Sequence, residues 1–300
     1  MSHQRAAEAK RVTWIGLGIN LLLTLFKFIA GVVGRSGAMI ADAIHSLSDF
    51  ATDIAVLVGF RFAGELPDKD HRYGHGKYET LATAFVGGML IVVGVGILVK
   101  GGMKIAQSLH GEPLEEPGMI ALVAALISLL SKELLFRYTR FVGEKIKSQA
   151  IIANAWHHRS DAISSIAALL GISGAIFLGE RWRVLDPIAA VIVSLLIIKV
   201  GHTVFASALN ELLEGALSDE EERIILEIIG RYDEVSHPHN LRTRRIGADV
   251  AIDLHIRVDG AMRVDEAHQI TQKIESDLRA AFGGQSFISL HVEPEYHDSL

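Results

Sequence analysis

Apolar residues run in long, nearly unbroken blocks through the first two thirds of the chain and in short alternations afterwards. A membrane-crossing helix needs about 20 mostly apolar residues, with a few polar ones tolerated where they face the inside of a bundle. Six stretches meet that requirement: Val12 to Gly34, Gly37 to Phe62, Tyr78 to Ile105, Pro117 to Phe136, Ile151 to Leu178, and Leu185 to Leu213. The first follows a basic arm, but it is too long for a signal-peptide core and lacks a small-x-small cleavage site. It therefore reads as a membrane helix.

The pattern changes at Ser218. Asp219-Glu220-Glu221-Glu222 precede Ile224, Ile225, Ile228 and Ile229, which predicts an amphipathic helix with Ser218 as cap and an acidic first turn. Leu241 to Ile246 and Val250 to Val258 predict strands, the second through its alternating Val250, Ile252, Leu254, Ile256 and Val258. Val264 to Phe282 predicts a helix with Ala267, Ile270, Ile274 and Leu278 on one face, and Phe287 to Val292 a last strand. Helix-strand-strand-helix-strand is a small α+β domain with its helices on one face of a sheet. About 80 residues make a marginal core, which pairing with a second copy supports.

Composition sharpens this picture. Half of the 300 residues (50%) are hydrophobic, 21% are charged, and the mean hydropathy is +0.32. The formal charge of -6 argues against a nucleic-acid partner. Without cysteine, disulfides and thiolate ligands are excluded, so a bound metal is held by imidazole and carboxylate. Basic residues gather in the N-terminal arm (Arg5, Lys10, Arg11) and in the loops after the second and fourth stretches (Arg61, Lys69, Arg72, Lys77; Arg137, Arg140, Lys145, Lys147). By the positive-inside rule both termini are cytoplasmic.

An ionised carboxylate in mid-membrane costs several kcal/mol and needs a partner or a task. The second stretch carries Asp42, His45, Asp49 and Asp53 at spacings of three and four, which share a helix face. The fifth carries His157 and Asp161, one turn apart, while His158 points about 100 degrees away and is set aside. Two imidazoles and two carboxylates from facing helices suit a tetrahedral zinc ion. Asp42 and Asp53 fit either a place beside those ligands or a water-facing helix end. A single polar residue in such a helix is commonly a helix-helix hydrogen bond, a reading that two His-x-x-x-Asp pairs in different spans make much harder. Metal loading needs neutral imidazoles and ionised carboxylates, so it displaces protons. A site near the middle of a bundle, open to each side in turn, is the logic of a secondary transporter. Neither a Walker A run nor a Gly-rich nucleotide fingerprint is present, so no nucleotide cofactor is implied.

His45-Ser46-Leu47-Ser48-Asp49, the loop His71-Arg72-Tyr73-Gly74-His75-Gly76-Lys77-Tyr78-Glu79, and His157 through Asp161 together resemble the cation diffusion facilitator family, especially its bacterial zinc/iron-type proton-coupled efflux members. The resemblance covers nearly the whole chain. It implies a membrane α-helical bundle of six transmembrane helices over residues 1–213 and a metallochaperone-like, ferredoxin-like α+β cytoplasmic domain over residues 214–300. The implied transport site is His45, Asp49, His157 and Asp161, a set that favours zinc without excluding cadmium, iron or cobalt. A second implied site, in the loop, is Asp68, His71 and His75; the same residues also fit a solvated loop with incidental histidines. Lys77 and Glu214 match an ion pair that holds the membrane domains together at a dimer junction. His239, His255, His268, His291 and Glu293 match a binuclear cytoplasmic site, with glutamate where relatives have aspartate.

The function so implied is export of zinc, and of cadmium, iron or similar divalent cations, in exchange for protons. The implied protein is a multi-pass homodimer of the bacterial inner membrane, with cytoplasmic metal stabilising or regulating the dimer. Two rivals are a membrane metalloenzyme and a metal-sensing scaffold. The chain has no His-Glu-x-x-His helix, and four protein ligands leave no open position for an activated water, so it is not expected to be an enzyme. A scaffold has no need of the membrane pairs.

Overall fold

The computed structural model describes residues 3–48, 50, 68–145, 149–247 and 249–295, with backbone alone at positions 3–10, 149, 150, 153, 157, 160 and 163. The chain divides into two compact units, Met1–Ile54 with Val86–Thr203 and Ala55–Phe85 with Val204–Leu300.

The first unit is a helical bundle. Its helices are α1 (His3–Val33), α2 (residues 37–48), α3 (Lys77–Leu109), α4 (Met119–Lys145), α5 (Gln149–Phe177) and α6 (Leu185–Leu212), the ends of α3 and α6 belonging to the second unit. The expectation of six membrane-crossing helices does not hold. Among the described residues four helices are long and apolar enough: Arg11–Val33, Lys77–Leu109, Met119–Lys145 and Glu180–Leu212. Among the described residues the apolar part of α5 is Ser164–Phe177, and the first half of the helix carries Asn154, His157, His158, Arg159, Ser160 and Asp161. The expected second span is helical over residues 37–48, and residues 51–67 lie outside the described residues. Helix α4 also runs nine residues past the expected Phe136, to Lys145, where Arg137–Glu133 and Arg140–Glu144 pairs, each 2.8 Å, support it.

This bundle is apolar outside and polar within. Leu21, Leu22, Leu25, Phe28 and Ile29 of α1, and Phe85, Met89 and Val92 of α3, are exposed, whereas Lys27, Asp42, Ser128, Lys132, Asp161, Ser164 and Ser165 are buried. Lipid solvates the first set, and only the interior can satisfy the second. Helices approach closely where side chains are small. Ala30, Ala38, Ala121, Ala124, Ala125, Ala168 and Ala189 form one buried cluster, and a Cβ at Gly171 would lie 2.8 Å from the Leu185 carbonyl oxygen. The N-terminus of α2 is capped twice. Ser36 Oγ accepts from the Met39 N–H at 3.1 Å, and Asp186, in the first turn of α6, accepts from Gly37 (2.8 Å) and Ala38 (3.3 Å).

The second unit contains α7 (Asp219–Ile229), β1 (Ser236–Ile246), β2 (Asp249–Asp259), α8 (Val264–Phe282) and β3 (Phe287–Glu295). Ser218 and Glu221 close a capping box on α7. The sheet order is β1-β2-β3, with β1 antiparallel and β3 parallel to β2, and α8 makes the crossover. Val250, Ile252, Leu254 and Ile256 point to one face and pack with Ile225, Ile228, Ile229, Ile270, Ile274 and Leu278. Because strand side chains alternate, Asp253, His255 and Arg257 take the other face. Strand β1 begins five residues before the expected Leu241. Register shifts on either side of His239 set His237 (φ 47°) and Asn240 (φ 52°) outside the regular pairing, as bulge positions in the strand.

Candidate metal centres

In the bundle, α2 and α5 carry the membrane candidates. Asp49 and the His157 side chain lie outside the described residues, as does Asp53; the α5 backbone puts His157 and Asp161 one helical turn apart. Asp161 is 5% exposed, and its Oδ2 lies 3.1 Å from Lys132 Nζ. Both border an internal cavity of about 90 Å³, shared with Asn20, Ser46, Asn154 and His158. His158, set aside as a ligand by its helical angle, nonetheless reaches this cavity and is buried. His45 is half-buried, and its Nδ1 has no hydrogen-bond partner among the described residues.

Asp42 is paired within the bundle. Lys27 Nζ lies 2.7 Å from its Oδ2, Ser164 Oγ donates to Oδ1 at 3.2 Å, and Ser165 Oγ lies 3.1 and 3.0 Å from its two oxygens. Lys27 also donates to Ser46 Oγ and Ser165 Oγ, each at 3.1 Å. The side chains of both Lys27 and Asp42 are 0% exposed. This carboxylate is neutralised from within the protein. The reading of the sequence missed both lysines, although a charge within an apolar run (Leu25-Phe26-Lys27-Phe28-Ile29) was the available signal.

The loop candidates do converge. Ligating atoms of Asp68, His71 and His75 lie within 4.8 Å of one another. Asp68 Oδ1 is 3.4 Å from His71 Nδ1, and Oδ2 is 3.3 Å from His75 Nε2. The His71 and Asp70 N–H groups donate to Asp68 at 2.6 and 2.8 Å, and the first of these bonds is the main cause holding the carboxyl below its usual range. His75 is buried, with Nδ1 unpartnered among the described residues. Lys77 contacts Glu214 directly, and Glu214 also accepts from Arg244 Nε at 2.9 Å. That carboxylate therefore bridges two cations rather than pairing with one.

In the tail, His239, His255 and Glu293 offer ligating atoms within 4.8 Å of one another. Pairing sets His239 opposite His255 and His255 opposite His291, so the three imidazoles line up across the sheet's outer face, and the His255 and His291 ring centres are 4.6 Å apart. Glu293 Oε1 is 3.1 Å from His255 Nδ1 and Oε2 is 3.4 Å from His239 Nε2. The His255 hydrogen bond is the main cause holding the Glu293 carboxyl below its usual range. The His237 carbonyl, 2.8 Å from His239 Nδ1, can only accept, so Nδ1 carries the proton and Nε2 presents a lone pair toward Glu293. Glu293 Oε2 is also met by Arg257 Nε at 3.5 Å. A tetrahedral ion with ligand contacts of about 2.1 Å sets its donors about 3.4 Å apart; His239 Nε2 and Glu293 Oε2 are 3.4 Å apart, while the 3.1 Å between His255 Nδ1 and Glu293 Oε1 is a hydrogen bond. His268 stands outside this group: it is exposed on α8, with Nε2 3.1 Å from Gln272 Nε2.

Residues 13–213 match a family model described as the cation efflux transmembrane domain, and residues 217–295 one described as the cytoplasmic domain of cation efflux proteins. Metal tolerance protein C1 of Arabidopsis thaliana is 34% identical over 98% of this chain, which spans 66% of that protein's length. The manganese efflux system protein MneP of Bacillus subtilis is 33% identical over 99% of this chain and 100% of its own. Metal tolerance protein 2 of Oryza sativa is 35% identical over 95% of this chain and 78% of its own.

Proposed function

The chain belongs to the cation efflux family, and from that premise we propose that it exports zinc from the cytoplasm in exchange for protons. The family is one of multi-pass membrane transporters of divalent metals, and the chain is not an enzyme.

The observation that carries the reading is Asp161. It is 5% exposed inside a bundle whose outer surface is apolar, at the wall of a cavity shared with Lys132, Asn20 and Asn154. A carboxylate in that position has to meet a cation. The proposed cargo site is His45, Asp49, His157 and Asp161, with His45 offering an Nδ1 that has no hydrogen-bond partner among the described residues. Imidazole nitrogen and carboxylate oxygen suit tetrahedral zinc. Both donor types bind protons when the metal leaves, so a proton gradient drives metal outward through the same groups. A second reading, manganese, has support in the name of MneP, which matches along its entire length.

The remaining proposals follow from the same premise. The protein is a homodimer of a bacterial inner membrane with both termini cytoplasmic. The domain boundary falls between residues 213 and 214. Lys77 and Glu214 brace the junction. The Asp68, His71, His75 loop and the tail donors His239, His255, His268, His291 and Glu293 bind cytoplasmic metal that stabilises or regulates the dimer.

Uptake into proteoliposomes with Zn, Cd, Fe or Mn, under an imposed pH gradient, tests the proposal. Zinc flux coupled to counter-moving protons is expected, abolished by Asp49→Ala or Asp161→Ala. Normal flux in both variants overturns the cargo site, and faster manganese than zinc flux selects the second reading.

A further inference from the structure

We infer that Lys132 is a tethered cation that occupies Asp161 between cargo ions, so that metal reaches this carboxylate by exchange with an ammonium. The inference rests on the reading of Asp161 as a cargo ligand and adds a residue that sets how tightly cargo is held.

The two buried lysines of the bundle differ in how they are held. Lys27 is locked: it meets Asp42, Ser46 Oγ and Ser165 Oγ at 2.7 to 3.1 Å. Lys132 has one ion-pair partner among the described residues, Asp161, at 3.1 Å, with side chains 2% and 6% exposed. It also borders the cavity of about 90 Å³, whose wall offers Asn20 and Asn154 as polar surface. A lysine reaches its partner through four flexible methylenes and one compact charge, so its head can withdraw without moving α4. A carboxylate and an ammonium buried in this interior each cost free energy unless met by opposite charge. When cargo takes the carboxylate, the ammonium moves to the cavity wall; when cargo leaves, it returns. The returning lysine competes with the metal, weakens its hold and promotes its release.

Substitutions of opposite sign test this. In full-length protein with His71, His75, His239, His255, His268 and His291 replaced by alanine and Glu293 by glutamine, zinc titration reads the membrane site. Lys132→Met removes the competitor and is expected to tighten zinc binding about tenfold while slowing efflux by a similar factor. Lys132→Arg places a bidentate guanidinium on the carboxylate and is expected to weaken binding about tenfold. Lys27→Met, at the locked pair, is expected to lower stability without tightening zinc binding. A purely structural Lys132 predicts that both variants lower the melting temperature and leave affinity equal or weaker, and that result overturns the inference. If Lys132→Met does not fold, unchanged affinity in Lys132→Arg overturns it alone. Asp161→Asn separates the two levels. Lost zinc binding there with unchanged affinity in the Lys132 variants sinks only the exchange. Retained binding sinks the cargo assignment and the exchange with it.

Discussion

The two units solve the burial problem in opposite ways. In the tail, Ile225, Ile252, Leu254, Ile256 and Ile274 fill the interior and the histidines line an outer sheet face. In the bundle, leucines and phenylalanines face outward, and the interior holds Lys27, Asp42, Lys132 and Asp161. The tail is stabilised by removing apolar surface from water. The bundle has no such gain between its helices, so it depends on small-residue packing and on complete pairing of its charges. The buried polar groups of the tail include the hydroxyls of Thr243, Thr271 and Ser286, whereas those of the bundle include the charges of Lys27, Asp42, Lys132 and Asp161.

The largest expected break of this contrast is Lys27→Met. It strands the buried Asp42 and is expected to destabilise the bundle by about 4 kcal/mol, with Lys27→Met/Asp42→Asn recovering most of the loss. Denaturant unfolding in micelles measures both, and a double variant as unstable as the single would break the comparison. The matching tail change is Ile252→Ala, at a fully buried position. It should cost about 3 kcal/mol by opening a cavity in the apolar core, seen as earlier unfolding of the tail with the bundle unaffected. Smaller again is Ser218→Ala, which removes the Ser218–Glu221 capping box; about 1 kcal/mol is expected, read as lower helicity of α7 on melting.

The smallest effect is a pH dependence in the tail. Glu293 is held below its ordinary value of 4.5, mainly by its hydrogen bond with His255. A depressed carboxyl favours the folded state at pH above that ordinary value, and the contribution disappears as pH falls through the lowered one. In metal-free protein, Glu293→Gln should therefore melt below the parent at neutral pH and converge with it in acid. A gap that persists in acid would assign the difference to packing.

Much of the tail was legible because its signals are local. The acidic turn after Ser218, the alternation from Val250 to Val258 and the stripe Ile270, Ile274, Leu278 each require only neighbours in sequence, and α8 spans Val264–Phe282 as expected. The bundle was legible as apolar blocks but not in its number of crossing helices. The first half of α5 is polar, and among the described residues the helix offers Ser164–Phe177 as its apolar stretch. At the sites, the loop donors are close in sequence and their convergence follows from one turn, with Asp68 capping the N–H groups of Asp70 and His71.

By itself the sequence determined periodicity, and with it which residues form helices and strands, where apolar surface is offered, and that any metal must meet nitrogen and oxygen. The tertiary structure alone decided partnership. Asp42 belongs to Lys27 from α1, Asp161 meets Lys132 from α4, and His239 and Glu293 join across the sheet while His268 stays apart on its helix. The physical reason is range. Backbone preference is set within a few residues of each position, but a buried charge is satisfied by whichever helix face packing brings against it, and no local pattern encodes that meeting.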